Sequence, residues 1–471
     1  MEEYTKLLEH SRRGVVLNRR MILKRDKIPN RCEDTSTTGF AGVSSFTGYD
    51  PWNVYSCAQP DESSIYSIVN MLHSQGDEAL EIIWVNLREE PSIYINGTSY
   101  VLRKADDPFQ NLFNDEQIIT KSKVENMEKR LKKDVMNECR VVENGCNIVV
   151  QREETVHNIR KQILHVNTSS LLTTREMFYI VGTRGFDTNY HRIPIIETNP
   201  PSIEALSEIA DILVNNSNSK SIVFTDMSGH NKSTYCSAVA MVIRKWKLLL
   251  RQFHEKHSAA NRILSPVLDL AAETFTTSEA DSNVLCVNEE GNGSDVNVSP
   301  VTPSSQNSFL YHLEDLPEVD LSSDPDASAF ASEVGGKSLP AESDNINVFY
   351  NSLLLNGNFA VVTNLTNLFP YGRNAKTLVD SVIQQQAPVY SILKHLVLVR
   401  QNIILASNKT EKTAWEELAV KLLRKYYLLI AVTLWLHERQ DEEYMPFRQW
   451  LEVTPTVYDL YNSINCGHID Q

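Results

Sequence analysis

No stretch of this 471-residue chain is apolar for long enough to cross a bilayer. The longest apolar run, Leu428 to Leu436, is nine residues, against the roughly 20 a spanning helix needs. The opening MEEYTKLLEHSRRG has no apolar core, so no signal peptide is expected there. Position 2 is not glycine, which removes the N-myristoylation pattern. Cysteine is scarce: seven residues (32, 57, 139, 146, 236, 286 and 466), scattered and odd in number, with no CxxC pair. Reduced thiols are therefore expected, with neither a disulfide framework nor a zinc site. Basic residues are also short, 45 Lys and Arg against 60 Asp and Glu. A nucleic-acid partner is accordingly not expected. No short internal repeat is visible. These absences describe a soluble, cytosolic chain without a transmembrane segment, for which no cofactor or metal is expected.

The net charge of −15 is concentrated in one region. Between Glu279 and Asp344 there are fourteen acidic residues and one lysine, Lys337, so this stretch carries −13 and the rest only −2. The same stretch is rich in Ser, Asn, Asp and Pro and has little periodicity, which predicts a disordered linker. It contains Ser299-Pro300 and Thr302-Pro303, candidate sites for proline-directed kinases, although such dipeptides are common in tails.

Before the linker, apolar patterning alternates between strand and helix periods. Strands are expected at 81–86, 92–95, 99–103, 146–151, 188–194 and 220–225, with Asn96-Gly97 as a two-residue hairpin turn. A helix over 122–139 carries Val124, Met127, Leu131 and Val135 on one stripe, with Ser122 and Glu125 as a capping box. This alternation predicts an α/β fold, a central sheet with flanking helices. From about residue 346 the pattern is all-α. Val389, Ile392, Leu393, Leu396 and Val397 share a helical spacing. Thr413 and Glu416 are read as caps of a helix bearing Trp415, Leu418, Leu422 and Tyr426, and a third helix is expected over 448–462.

The most informative segment is 220–244, KSIVFTDMSGHNKSTYCSAVAMVIR. Ile222, Val223 and Phe224 form a strand that runs into a polar loop and then into an apolar helix expected over about 234–254. A nucleotide P-loop would need glycines at 226 and 231, where Asp226 and Asn231 stand. A βα turn without any ligand remains open on the motif alone. The arrangement also resembles the Cys-x5-Arg-Ser/Thr loop of cysteine-dependent phosphatases, with Asp226 at the Cys position, Lys232 at the Arg position, and Ser233 and Thr234 following. Such a nucleophile is a thiolate stabilised by loop N–H groups and a helix N-terminus, and the arginine fork grips two phosphate oxygens where lysine offers a point charge. An ionised Asp226 would repel phosphate by roughly 4 kcal/mol at ~4 Å near a protein surface. Alternatively its carboxylate is itself the anion that fills the nest of N–H groups. Cys146 and Arg152 formally match Cys-x5-Arg, but the intervening Asn147-Ile148-Val149-Val150-Gln151 reads as a buried strand. Cys236 falls inside the following helix. No replacement nucleophile is visible.

Further segments arrive in a fixed order: residues 12–26, RRGVVLNRRMILKRD; Val54-Tyr55 with Ala58-Gln59-Pro60; Trp84 to Pro91, WVNLREEP; Ile93 to Arg103; the helix bearing Val124, Glu125, Met127, Glu128, Arg130, Leu131, Lys132 and Asp134; and Tyr190 to Ile195, YHRIPI. Over about residues 12–250 this series resembles a repeat of the paladin family, related to protein-tyrosine phosphatases and to bacterial phytases of that fold. The resemblance implies a protein-tyrosine-phosphatase-like sheet and a pocket for phosphorylated molecules. It places the loop Asp226, Met227, Ser228, Gly229, His230, Asn231, Lys232 and Ser233 where the family carries Cys-x-Met-Gly-x-Gly-Arg-Thr. The acid-loop position falls on Glu197, which is otherwise an ordinary exposed acid. Arg88 borders the implied pocket, or pairs with Glu89 or Glu90 at a strand end. Lys232, Arg88, His230 and Ser233 are thus the candidate ligand-binding residues. The stretch 39–47, GFAGVSSFT, matches the family only loosely.

The expected organisation is a phosphatase-like domain over 1–255, a helical extension and acidic linker over 256–345, and a helical domain over 346–471. Three functional readings follow. The first is an inactive pseudophosphatase that binds a phospho-ligand or protein partners as a scaffold. The second is a residual phosphatase on phosphotyrosine, phosphoinositide or inositol phosphate. The third is a structural repeat without a ligand.

Overall fold

The computed structural model describes residues 2–26, 45–74, 81–113, 118–141, 146–155, 158–197, 199–257, 353–438 and 445–469. In chain order the α/β part comprises α1 (Glu2–Ser11), β1 (Met21–Arg25), β2 (Thr47–Tyr49), β3 (Val54–Ala58), α2 (Glu62–Ser74), β4 (Ile82–Arg88), β5 (Ser92–Ile95) and β6 (Thr98–Lys104). It continues through α3 (Lys121–Val141), β7 (Asn147–Thr155), β8 (Asn158–His165), β9 (Leu171–Thr173), α4 (Thr174–Thr183), β10 (Thr188–Ile195), α5 (Ile203–Asn215), β11 (Ile222–Asp226) and α6 (Lys232–His257). The remainder is all-helical: α7 (Ala360–Asn367), α8 (Gly372–Gln386), α9 (Ile392–Leu405), α10 (Lys409–Glu438), α11 (Phe447–Val453) and α12 (Pro455–Ser463). The expected acidic linker lies outside the described residues.

Two sheets divide the α/β part. One has the order β10-β4-β11-β3-β2, parallel except for β2. Its strands β3, β4 and β11 are buried on both faces, which is why β4 reads as the nearly unbroken apolar run IIWVNL. Alternation sorts its side chains. Trp84 and Val223 face α2 and α4, whereas Ile83, Val85, Ile222 and Phe224 face α5 and α6. The other sheet, β8-β7-β1-β6-β5-β9, is covered by α3, whose Leu131 and Val135 pack on Leu23, Ile93 and Leu102. Asn96 and Gly97 turn from β5 to β6 with φ of 52° and 79°, the double left-handed geometry of a tight hairpin.

Helix α6 is buried on every side from Lys232 to Arg244, because the sheet covers one face and α8 and α10 cover the other. α10 is buried in the same way from Tyr426 to Leu436. One apolar cluster therefore runs from the sheet through α5 and α6 into the C-terminal helices.

Several expectations need correction. α3 is capped by Thr120, whose hydroxyl accepts from the Lys123 N–H at 3.3 Å, so Ser122 lies inside the helix. α10 is capped five residues earlier than expected, with Asn408 accepting from the Glu411 N–H at 2.8 Å, and Thr413 and Glu416 fall in its body. The helix expected over 448–462 is two helices, because Pro455 cannot donate into the preceding turn and starts α12 instead. Cys139 and Cys146 are joined in a disulfide, against the expectation of reduced thiols. The end of α3 and the start of β7 bring them together. Leu131→Ala, which empties the contact between α3 and its sheet, is predicted to cost about 2–5 kcal/mol; denaturant unfolding at constant m-value measures it.

Candidate functional site

The loop between β11 and α6 is held by Asp226. One carboxylate oxygen accepts from the Gly229 N–H. The other accepts from the Ser233 N–H at 2.9 Å and the Ser233 hydroxyl at 3.1 Å. Asp226 is fully buried. The donors of the loop and of the first turn of α6, which suit an oxyanion, are thus directed at a carboxylate from the chain itself. Gly229 has φ of +81°, and a Cβ there would lie 2.6 Å from the Ala58 N and 2.9 Å from the Cys57 carbonyl carbon, so the loop runs directly against β3. The His230 N–H donates to the Ser228 hydroxyl at 3.3 Å. Ser228 is buried and His230 half-buried.

Lys232, the first residue of α6, is paired with two carboxylates. It contacts Glu89, lies 2.7 Å from Glu197 Oε2, and donates to the Ile195 carbonyl at 3.1 Å. Glu197 is thereby buried, not the exposed acid that its loop position allowed. Glu89 further accepts from the Glu197 N–H at 2.9 Å and from Asn111 Nδ2 at 2.5 Å. Asn231 donates to Glu197 at 3.1 Å and accepts from Lys425 of α10 at 3.1 Å. Burial disfavours charge on Lys232, yet Glu197, Glu89 and Asp226 outweigh it and raise its pKa. Burial alone would raise Glu197, but Lys232 lowers it below the usual carboxylate range. Glu89 goes up, because burial outweighs Lys232 and Glu197 adds repulsion.

Arg88 also has internal partners. It lies 2.5 Å from Asp26 and 3.0 Å from Glu90. The strand-end pairing read from sequence is therefore made with Glu90, and Asp26 adds to it from 62 residues away. Arg103 shares both acids and lies 3.5 Å from the Met227 sulfur of the loop. Arg192 spans the Arg88 and Glu90 carbonyls at 2.8 Å each and pairs with Glu128 at 3.1 Å. Of the predicted site residues, Asp226, Ser228, Gly229, Lys232, Ser233 and Glu197 gather at the loop, and Arg88 belongs to the neighbouring ion-pair cluster. Glu89, Asp26, Arg103 and Lys425 were missed. Glu89 sits beside Arg88 in one quoted motif, and Asp26 and Arg103 close two others; nothing local marks Lys425.

Two buried thiols, Cys57 and Cys236, feel the Asp226 charge. Burial, and then the Asp226 charge, raise both Cys57 and Cys236 well above the ordinary thiol range, which removes the thiolate. Cys146 immediately precedes β7 and Arg152 lies on it, so the residues between them form an extended strand that cannot wrap a phosphate.

The profile of the PTP-like phytase family, described by inositol hexakisphosphate, matches residues 85–244 and so includes the loop. Paladin from Gallus gallus is 24% identical over 215 residues, 45% of this chain and 23% of that protein. Paladin from Homo sapiens is 19% identical over 442 residues, 91% of this chain and 38% of that protein. The chain is thus similar to paladin, and its residues 85–244 match the PTP-like phytase model. It spans well under half the length of either relative. Among solved structures, the PTP-like myo-inositol phosphatase from Mitsuokella multacida in complex with myo-inositol-(1,3,4,5)-tetrakisphosphate is similar at 16% identity and TM-score 0.35, over 49% of this chain and 39% of that one. A PTP-like phytase from Bdellovibrio bacteriovorus is similar at 10% identity and TM-score 0.31, over 45% and 70%.

Two predictions concern the loop of this paladin-like chain. Gly229→Ala is expected to lower stability by about 1–3 kcal/mol, since its φ and the β3 backbone leave no room to relax; thermal melting reads it. Lys232→Met strands two buried carboxylates, which costs about 3–5 kcal/mol at neutral pH. Without the cation their folded pKa values rise above the unfolded ones. The variant's deficit relative to wild type is then greatest above those values and narrows as acidification protonates the pair. Chemical denaturation at several pH values checks the trend.

Proposed function

We propose that this is a catalytically inactive pseudophosphatase that serves as a protein-binding scaffold. The observation that carries this reading is the Asp226 carboxylate, which engages the Gly229 and Ser233 donors that a transferring phosphoryl group would need. Thiol chemistry has no thiolate here, and both oxygens of Asp226 are engaged, which also opposes its use as an acyl-phosphate nucleophile. Lys232 is committed to Glu89 and Glu197, so a phospho-ligand finds little uncompensated positive charge at the loop. Phosphotyrosine, phosphoinositide and inositol phosphate, the ligand classes that the family resemblance brings, are disfavoured on this ground.

A protein-binding role draws support from a 480 Å³ groove between the β10–α5 connection and α11–α12, lined by Ile118, Pro200, Pro201, Leu451 and Tyr458. Ile118 is 66% and Tyr458 44% exposed, so the groove carries apolar surface open to a partner.

The deciding experiment assays hydrolysis of an aryl phosphate and of inositol hexakisphosphate by the full chain beside Asp226→Ala. We expect no turnover from either protein. Turnover by the wild type that disappears in the variant would show a carboxylate acting in place of the thiolate and would overturn the reading.

A further inference from the structure

A second group of cations lies next to the loop and takes no part in holding Asp226. Lys24 comes from β1, Arg88 from the end of β4 and Arg103 from β6. Their side chains are 4%, 4% and 1% exposed. All three converge on one carboxylate, Asp26, one residue beyond the end of β1: Lys24 at 3.3 Å, Arg88 at 2.5 Å and Arg103 at 3.7 Å. Each cation also has another acid. Glu90 takes Arg88 at 3.0 Å and Arg103 at 2.9 Å, while Glu153 takes Lys24 at 2.7 Å. Three positive and three negative groups therefore balance.

We propose that Lys24, Arg88 and Arg103 form an oxyanion cage in which the chain's own Asp26 occupies the place of a phosphate-like group. Asp26 differs from the other two acids in its partners. All three cations converge on Asp26, whereas Glu90, in the short connection from β4 to β5, takes two of them and Glu153, on β7, takes one. Guanidinium forks and an ammonium arranged around one point suit a tetrahedral oxyanion at least as well as a carboxylate. Burial opposes ionisation of Asp26, but Arg88, Arg103 and Lys24 outweigh it and hold its carboxyl well below the usual range. Arg103 also touches Met227 of the signature loop, so the cage borders the loop without sharing Asp226. Removing the Asp26 charge leaves the group with a net charge of +1 inside a buried shell, and a small oxyanion is the chemical class that restores neutrality.

The test uses full-length wild type, Asp26→Asn, and Asp26→Asn combined with Arg103→Gln, with Asp226 intact throughout. Inorganic phosphate is titrated calorimetrically, and melting is followed in phosphate against chloride at equal ionic strength. Phosphate should bind Asp26→Asn about tenfold or more tightly than wild type, and only that variant should gain a phosphate-specific rise in melting temperature. The added Arg103→Gln should abolish the gain. A folded Asp26→Asn without the gain, a gain that survives Arg103→Gln, or wild type binding as tightly as the variant would each overturn the proposal. Should Asp26→Asn fold only when phosphate is supplied, the cage is supported; failure to fold in phosphate and chloride alike would make Asp26 an irreplaceable structural ion and would overturn it. Hydrolysis by wild type would remove the inactive-enzyme reading and leave this one standing, because the cage does not involve the nucleophile position.

Discussion

The hydrogen bonds from the β11–α6 loop to Asp226 are the constraint on which the rest of the site depends. A loop that wraps a ring of N–H donors around one point must place an acceptor there, since buried donors without partners cost roughly 1–3 kcal/mol each. A side chain from inside the loop does this continuously, whatever the solution contains. Beside this filled centre, Lys232 pairs with Glu89 and Glu197. Through Asn231 and Lys425 that pair is tied to α10. The Tyr235 hydroxyl reaches the Lys425 carbonyl at 3.1 Å, and Gln386 reaches the Thr234 carbonyl at 3.2 Å, adding two more links between the helical layer and the first turn of α6.

The ion pairs around this centre raise a question of energetics. Buried salt bridges seldom stabilise a fold relative to apolar packing, because desolvation offsets most of the attraction. Their value lies in exclusivity. Each of Lys24, Arg88, Arg103, Arg192 and Lys232 is matched to carboxylates at close range, so alternative arrangements of these strands would leave a charge stranded. The interior beside the loop is polar and highly charged in composition, yet close to neutral in sum.

Much of the fold was legible in the sequence. Strands β4, β5, β6, β7, β10 and β11 fall where alternation or apolar runs placed them, because both sheets bury those side chains. β2 and β9 are three residues long and too short to show a period. β8 is a mostly exposed strand whose residues, NIRKQILH, carry no apolar face. At the site, Asp226 filling the nest and the pairing of Arg88 with Glu90 were stated alternatives, whereas Glu89 as partner of Lys232 and Asp26 as partner of Arg88 were not readable, because charge pairs 143 and 62 residues apart leave no local pattern. The caps of α3 and α10 moved because Thr120 and Asn408 also fit the cap role, and packing decided between the candidates.

The all-round burial of α6 has a consequence for how such a chain can be cut or recombined. A segment that ended near residue 255 would keep every strand of both sheets and the complete signature loop, but would lay bare the face of α6 that α8 and α10 now cover, including much of Tyr235 to Leu249. A fragment of that kind carries a sticky flank along the helix that anchors its own loop. Grafting the α/β half elsewhere would therefore require a replacement cover for that flank.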